Sequence, residues 1–143
     1  MSTQGDSGST FHVRLLAKPV SVGIFRTQLR TWLEATSVHP GEIFDIVLAC
    51  SECLTLAIEE RPRQVALIVD VEGTIEAEEL TVTTRDYGLW HESPARAQEN
   101  PLSLSLMRAF MDSVDLRRHC DGQTITLRRR LRRTTREHRA LLI

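Results

Sequence analysis

Between Ile46 and Ile58 the chain carries one charged residue, Glu52, in the run Ile-Val-Leu-Ala-Cys-Ser-Glu-Cys-Leu-Thr-Leu-Ala-Ile. Val47, Leu48, Leu54, Ala57 and Ile58 recur at a helical period, so the stretch reads as a helix with one wide buried face. Glu42 and Asp45 near its start suit the positive end of a helix dipole. Pro62, in Arg61-Pro62-Arg63, cannot continue the hydrogen-bond ladder and stops it near Glu60. A helix this apolar needs a layer to pack against, and the rest of the chain must provide one. Two readings of Glu52 stand open: an acid facing a ligand pocket, or a partly exposed helix carboxylate without chemistry.

The flanking segments supply the layer. Phe11 to Leu16 alternates apolar and polar residues, the pattern of a strand. Ser21 is the expected N-cap of a helix from Val22 to about Glu34. His39-Pro40-Gly41 is a turn, and the central helix is expected from about Glu42. Gln64 to Val71 and Leu80 to Arg85 read as strands joined by an acidic connection, Glu72 to Glu79, that contains Gly73. Asp86-Tyr87-Gly88 follows, then a long loop from Leu89 to Asn100. Leu102 to Met111 reads as a short helix with Leu102, Leu106, Met107 and Phe110 inward. A last hairpin turns at Asp121-Gly122, and its second strand ends in Arg128-Arg129-Arg130, expected on an exposed sheet edge. Strands and helices come in runs rather than in strict alternation. The fold expected is therefore α+β, a two-layer sandwich with helices on one face of a mixed, mainly antiparallel sheet. One domain is expected over 11–131, between a disordered tail over 1–10 and a basic tail over 132–143.

Charge is segregated along this order. From Arg117 onward nine arginines face two acidic residues, while the rest of the chain holds nine basic and seventeen acidic side chains. Such a division marks a partner surface or a solvated tail. No recognised nucleic-acid motif or interleaved aromatic accompanies the arginines, so nucleic-acid binding through them is the minor reading. Three cysteines, Cys50, Cys53 and Cys120, do not make a disulfide framework. Cys50 and Cys53 lie in mid-helix, away from the helix start where a redox pair would sit, and read as buried and unreactive. No zinc site is assigned. No apolar run is long enough to span a bilayer and no signal peptide is visible, which leaves a cytoplasmic location as the expectation.

Three segments together resemble a bacterial anti-sigma-factor serine kinase, a family within the histidine-kinase-like ATPases. They are Ser51-Glu52-Cys53-Leu54-Thr55-Leu56-Ala57-Ile58-Glu59, Asp86-Tyr87-Gly88, and Leu104 to Val114. The resemblance covers roughly Phe11 to Leu131 and implies the ATPase-domain fold. In that family a helix carries Glu-x-x-x-Asn, the Glu as base and the Asn as holder of Mg²⁺. Residues four apart share a helix face, so both reach one site. The resemblance makes Glu52 the catalytic base and Leu56 the occupant of the Asn position. It makes Asp86 the acceptor for the adenine amine, with Gly88 letting backbone approach the nucleotide. Trp90 replaces the second glycine of that motif. In the glycine-rich lid, Glu99, Pro101 and Ser103 stand where glycines are expected.

Leu56 has no oxygen for a hard cation, and the lid substitutions remove backbone freedom around phosphates. The expectation is thus ATP or ADP bound weakly, Mg²⁺ not held, and serine-kinase activity weak or lost. By resemblance the partners are a sigma factor, an antagonist protein, or both, and the chain acts as a homodimer in partner switching. An active ATP-dependent serine kinase of the same family is the first alternative. A nucleic-acid-associated protein using the arginine-rich end is the second.

Overall fold

The structure is a computed structural model and describes residues 9–60, 68–87, 101–120 and 122–132. Its elements in order are β1 (Ser9–Leu16), α1 (Pro19–Glu34), α2 (Pro40–Glu60), β2 (Ile68–Glu76), β3 (Glu79–Asp86), α3 (Pro101–Phe110), β4 (Ser113–His119) and β5 (Gly122–Arg130). The five strands form one sheet in the order β1-β2-β3-β5-β4. Every pairing is antiparallel, so the sheet is purely antiparallel rather than mixed. The α+β sandwich expected from the sequence is otherwise what forms. α2 lies between α1 and α3 and packs on β3, which buries it on nearly all sides.

Helix starts differ from expectation for one reason, proline at the first position. Pro19 opens α1 after Lys18, which offers no side-chain cap, and Ser21 is a buried residue of the first turn rather than the N-cap. Pro40 opens α2 in the same way, with the His39 Nδ1 accepting the Gly41 N–H at 3.0 Å. Proline has no N–H to leave unpaired there and its φ is already helical. α3 is rotated from its expected phase. Leu102 is 69% exposed, and the inward positions are Ser103, Met107 and, just beyond the helix, Met111.

The connection expected over Glu72–Glu79 is mostly strand. β2 runs to Glu76 and the turn is only Ala77-Glu78, both at positive φ (51° and 66°). Two left-handed residues match the strand twist but strain side chains that carry a Cβ. Gly73 belongs to the strand because α1 presses on it. A Cβ there would come within 3.1 Å of the Trp32 ring, which stacks on Phe11 at 5.3 Å, and Phe11 is Gly73's partner across β1. The Trp32 Nε1–H donates to Ser9 Oγ at 2.8 Å, which draws the first strand two residues further back than expected.

β5 is interior, between β3 and β4, and not an edge strand. Its arginines alternate: Arg128 and Arg130 are exposed on the open face, while Arg129 turns under the helices. Arg129 Nε donates to Glu42 Oε1 at 3.0 Å, and its Nη1 donates to the Phe110 carbonyl at 2.8 Å. Asp45 stands 3.7 Å from the same Nη1. Glu42 is fully buried, and its Oε2 accepts the Arg132 backbone N–H at 2.9 Å. Glu42 thus lies in the first turn of α2, as the helix dipole favours, and also serves a buried ion pair, and Arg132, assigned from sequence to the tail, is tied into the fold.

Removing one partner of a buried pair strands the other charge, at a cost of about 3–5 kcal/mol. Glu42→Ala should lower the melting temperature far more than the paired change Glu42→Leu with Arg129→Leu, measured by calorimetry. In the turn, Ala77→Asn with Glu78→Gly should stabilise by about 1 kcal/mol, since Asn-Gly fits the left-handed geometry. That gain should read as a rise of roughly 3 °C in melting temperature.

Candidate nucleotide site

Antiparallel register sorts the side chains of the sheet's helix-covered face into rows. One row is Val13, Val71, Thr84, Ile125 and Leu116; the next is Leu15, Val69, Asp86, Gln123 and Arg118. The face is therefore apolar across β1 and β2 and becomes polar at the ends of β3, β5 and β4. Asp86 is 1% exposed, and its Oδ1 accepts the Gln123 backbone N–H at 3.1 Å. β5 can start this close only with glycine at its first position. A Cβ on Gly122 would fall 2.0 Å from the Asp86 carbonyl oxygen, and its φ is +151°, a conformation that glycine alone tolerates well.

α2 meets this end of the sheet at Cys53. The Cys53 thiol donates to Thr84 Oγ1 at 3.4 Å, and Thr84 is two residues before Asp86 on the same face. Burial pushes the Cys53 thiol up to about 12, partly opposed by the Thr84 hydrogen bond, and the Asp86 charge adds to the rise. Burial likewise holds the Cys50 thiol well above its ordinary range. Both cysteines are buried as the sequence indicated, and Cys120 is exposed. Among the described residues no group of three or more His, Cys, Asp or Glu could hold a metal ion.

Glu52 is the neighbour of Cys53 and is half-buried. Its Oε1 accepts the Ser103 hydroxyl at 3.0 Å, and Ser103 is 3% exposed. Ser103 is one of the positions where a lid glycine was expected. It sits in the first turn of α3, which Pro101 opens, and its hydroxyl occupies an oxygen of the carboxylate that the resemblance makes the base. Leu56, one turn further along α2, is 1% exposed and belongs to the core. The donor set does not fit Mg²⁺: at the position that would hold it stands an apolar side chain packed among others. The base end of the site fits better, since Asp86 keeps a buried carboxylate at a strand end. Gly88, Trp90 and Glu99, with the loop over 89–100, lie outside the described residues.

Sequence reasoning named Ser103 only as a lid position and missed its bond to Glu52, and it missed Gln123 altogether. Gln123 could have been found, because period-two alternation with Ile125 and Leu127 puts it on the covered face. Ser103 could not, since the apolar pattern of α3 pointed to Leu102.

These thiols make the site's burial measurable. With native protein at mildly alkaline pH, Ellman's reagent should label Cys120 promptly. Cys50 and Cys53 should react only at the rate of unfolding, because thiolate is scarce and access is closed.

The fold agrees with what the chain is similar to. Among curated proteins nothing matches it. A solved structure of the RsbU and RsbW domains of Rv1364c from Mycobacterium tuberculosis superposes with a TM-score of 0.69 at 25% identity. It covers 87% of this chain, and this chain spans 33% of that one. The family model described as the histidine kinase-like ATPase domain matches residues 15–129. The resemblance drawn from Glu52, Asp86 and the α3 segment is thus carried by nearly the whole described domain, and the chain belongs to the histidine kinase-like ATPase domain family.

Proposed function

We propose that this chain regulates transcription by partner switching. In that reading it engages a sigma factor or an antagonist protein, acts as a cytoplasmic homodimer, binds adenine nucleotide weakly, and transfers no phosphoryl group. The observation that carries the loss of transfer is Leu56, buried in the core four residues after Glu52. Phosphoryl transfer rests on positioning and on charge neutralisation by metal, and this position offers no ligand for one. The Ser103 hydroxyl on Glu52 supports the same reading, because an incoming hydroxyl would have to displace it.

Support for a binding role comes from the likeness to an RsbW domain and from the surface. Val20 and Ile24, one turn apart on α1, are 67% and 47% exposed, and Phe44 at the start of α2 is 67% exposed. Among the described residues no helix is long and apolar enough to cross a membrane. The nucleic-acid reading loses Arg129, which is consumed by Glu42 inside the fold.

A radiolabelled-ATP assay against a cognate antagonist tests the proposal. Wild type should give no phosphoserine while still binding its protein partner in a pull-down. Leu56→Asn alone should recover little, and Leu56→Asn with Ser103→Gly should recover more, because the second change releases Glu52. Robust transfer by wild type that Glu52→Ala abolishes would establish the active kinase instead.

A further inference from the structure

Asp86, Gln123 and Arg118 stand side by side on β3, β5 and β4 as direct register partners. Their side chains share the helix-covered face. Arg118 Nε donates to Gln123 Oε1 at 2.8 Å. That bond assigns the carboxamide: the carbonyl faces Arg118, and the NH2 lies on the other side of the amide carbon. Gln123 is 1% exposed, and its Nε2 has no hydrogen-bond partner among the described residues. A buried donor without an acceptor is destabilising, so a ligand acceptor there is favoured.

The far end of the same face offers a comparison. There Arg129 is partly buried and polar, and it is met by Glu42 and the Phe110 carbonyl. The fold satisfies the polar group that it uses for support, and leaves a donor open beside Asp86. A carboxylate acceptor next to an amide donor complements a planar edge that presents an amine N–H beside a ring nitrogen. Adenine presents such an edge through its amine and N1, as does cytosine, and the larger purine is the base that the proposed function places at Asp86.

We infer that Gln123 is a specificity-determining residue whose Nε2 donates to the N1 ring nitrogen of an adenine held by Asp86 through its amine. This rests on the reading of Asp86 as the adenine acceptor. Arg118 is a positioning residue in it, holding the amide so that the NH2 and not the carbonyl meets the base. Recognition then resides at the base end, which needs no metal, while the phosphate end lacks its magnesium ligand.

The test uses the full chain without Mg²⁺ and compares ADP with 1-deaza-ADP by calorimetry. The analogue keeps the amine and replaces N1 by C–H. Wild type should bind the analogue about tenfold more weakly, the worth of one hydrogen bond to a buried donor. Gln123→Met, which removes the donor at similar volume, should bind both ligands alike. Equal affinities in wild type, or a preference that survives in Gln123→Met, would overturn the assignment. The wild-type comparison decides even if the variant fails to fold. Asp86→Ala separates the two levels. If it abolishes ADP binding while wild type shows no preference, the role of Gln123 fails and the nucleotide site stands. If ADP binding is absent in wild type at millimolar ligand, or unchanged in Asp86→Ala, the site itself is refuted and the role of Gln123 with it.

Discussion

The buried pair of Glu42 and Arg129 is the constraint on which the other contacts depend. Arg129 is on the second-to-last residue of β5, Glu42 is in the first turn of α2, and the carbonyl that completes the guanidinium's bonds ends α3. One side chain thereby ties α2 and α3 to the sheet at one end. The Arg132 N–H on the other Glu42 oxygen pins the chain as it leaves the sheet. Two charges out of water need nearly all their bonding capacity met, and here several elements supply it. The geometry at the opposite end, where Cys53 touches Thr84 and Ser103 touches Glu52, follows from how α2 and α3 are held.

Between these ends the covered face is apolar and tightly shaped. Gly73 exists so that Trp32 can lie on the strand, and Phe11 covers the gap from the neighbouring strand. The polar residues gather where α2 leaves the sheet, at Asp86, Gln123 and Arg118. Family membership gives that end its meaning, and the chain's own residues modify it. The acid of the helix motif remains, but it is bonded to a serine, and its partner one turn away is a leucine sealed in the core.

Much of this was legible because periodicity and strong turn residues act locally. The apolar run of α2, the β-branched strands and the Asp-Gly hairpin signal each led to the right element. Readings went astray where a distant contact overrode the local signal. Gly73 looked like a turn glycine until Trp32 was placed over it. Glu42 stands in the first turn of α2 as the dipole reading has it, but its pairing with Arg129, far along the chain, is not legible there. Ser21 looked like a cap, but Pro19 had already started the helix. The Arg128–Arg130 run looked like an edge because strand order cannot be read from the chain, and the alternation within it separates Arg129 from its neighbours. For the site, the sequence indicated Glu52, Asp86 and Leu56. It was silent on the bond from Ser103 to Glu52 and on the orphaned amide of Gln123, since both depend on which face a neighbouring element presents.

In the function proposed above, this domain retains the adenine end of an ATPase site and has lost the metal-dependent phosphate end. The most direct test is the affinity for ATP titrated calorimetrically with and without Mg²⁺. Weak binding that Mg²⁺ leaves unchanged is the expected result, because Leu56 offers the ion nothing. Binding that tightens tenfold or more on adding Mg²⁺ would contradict it.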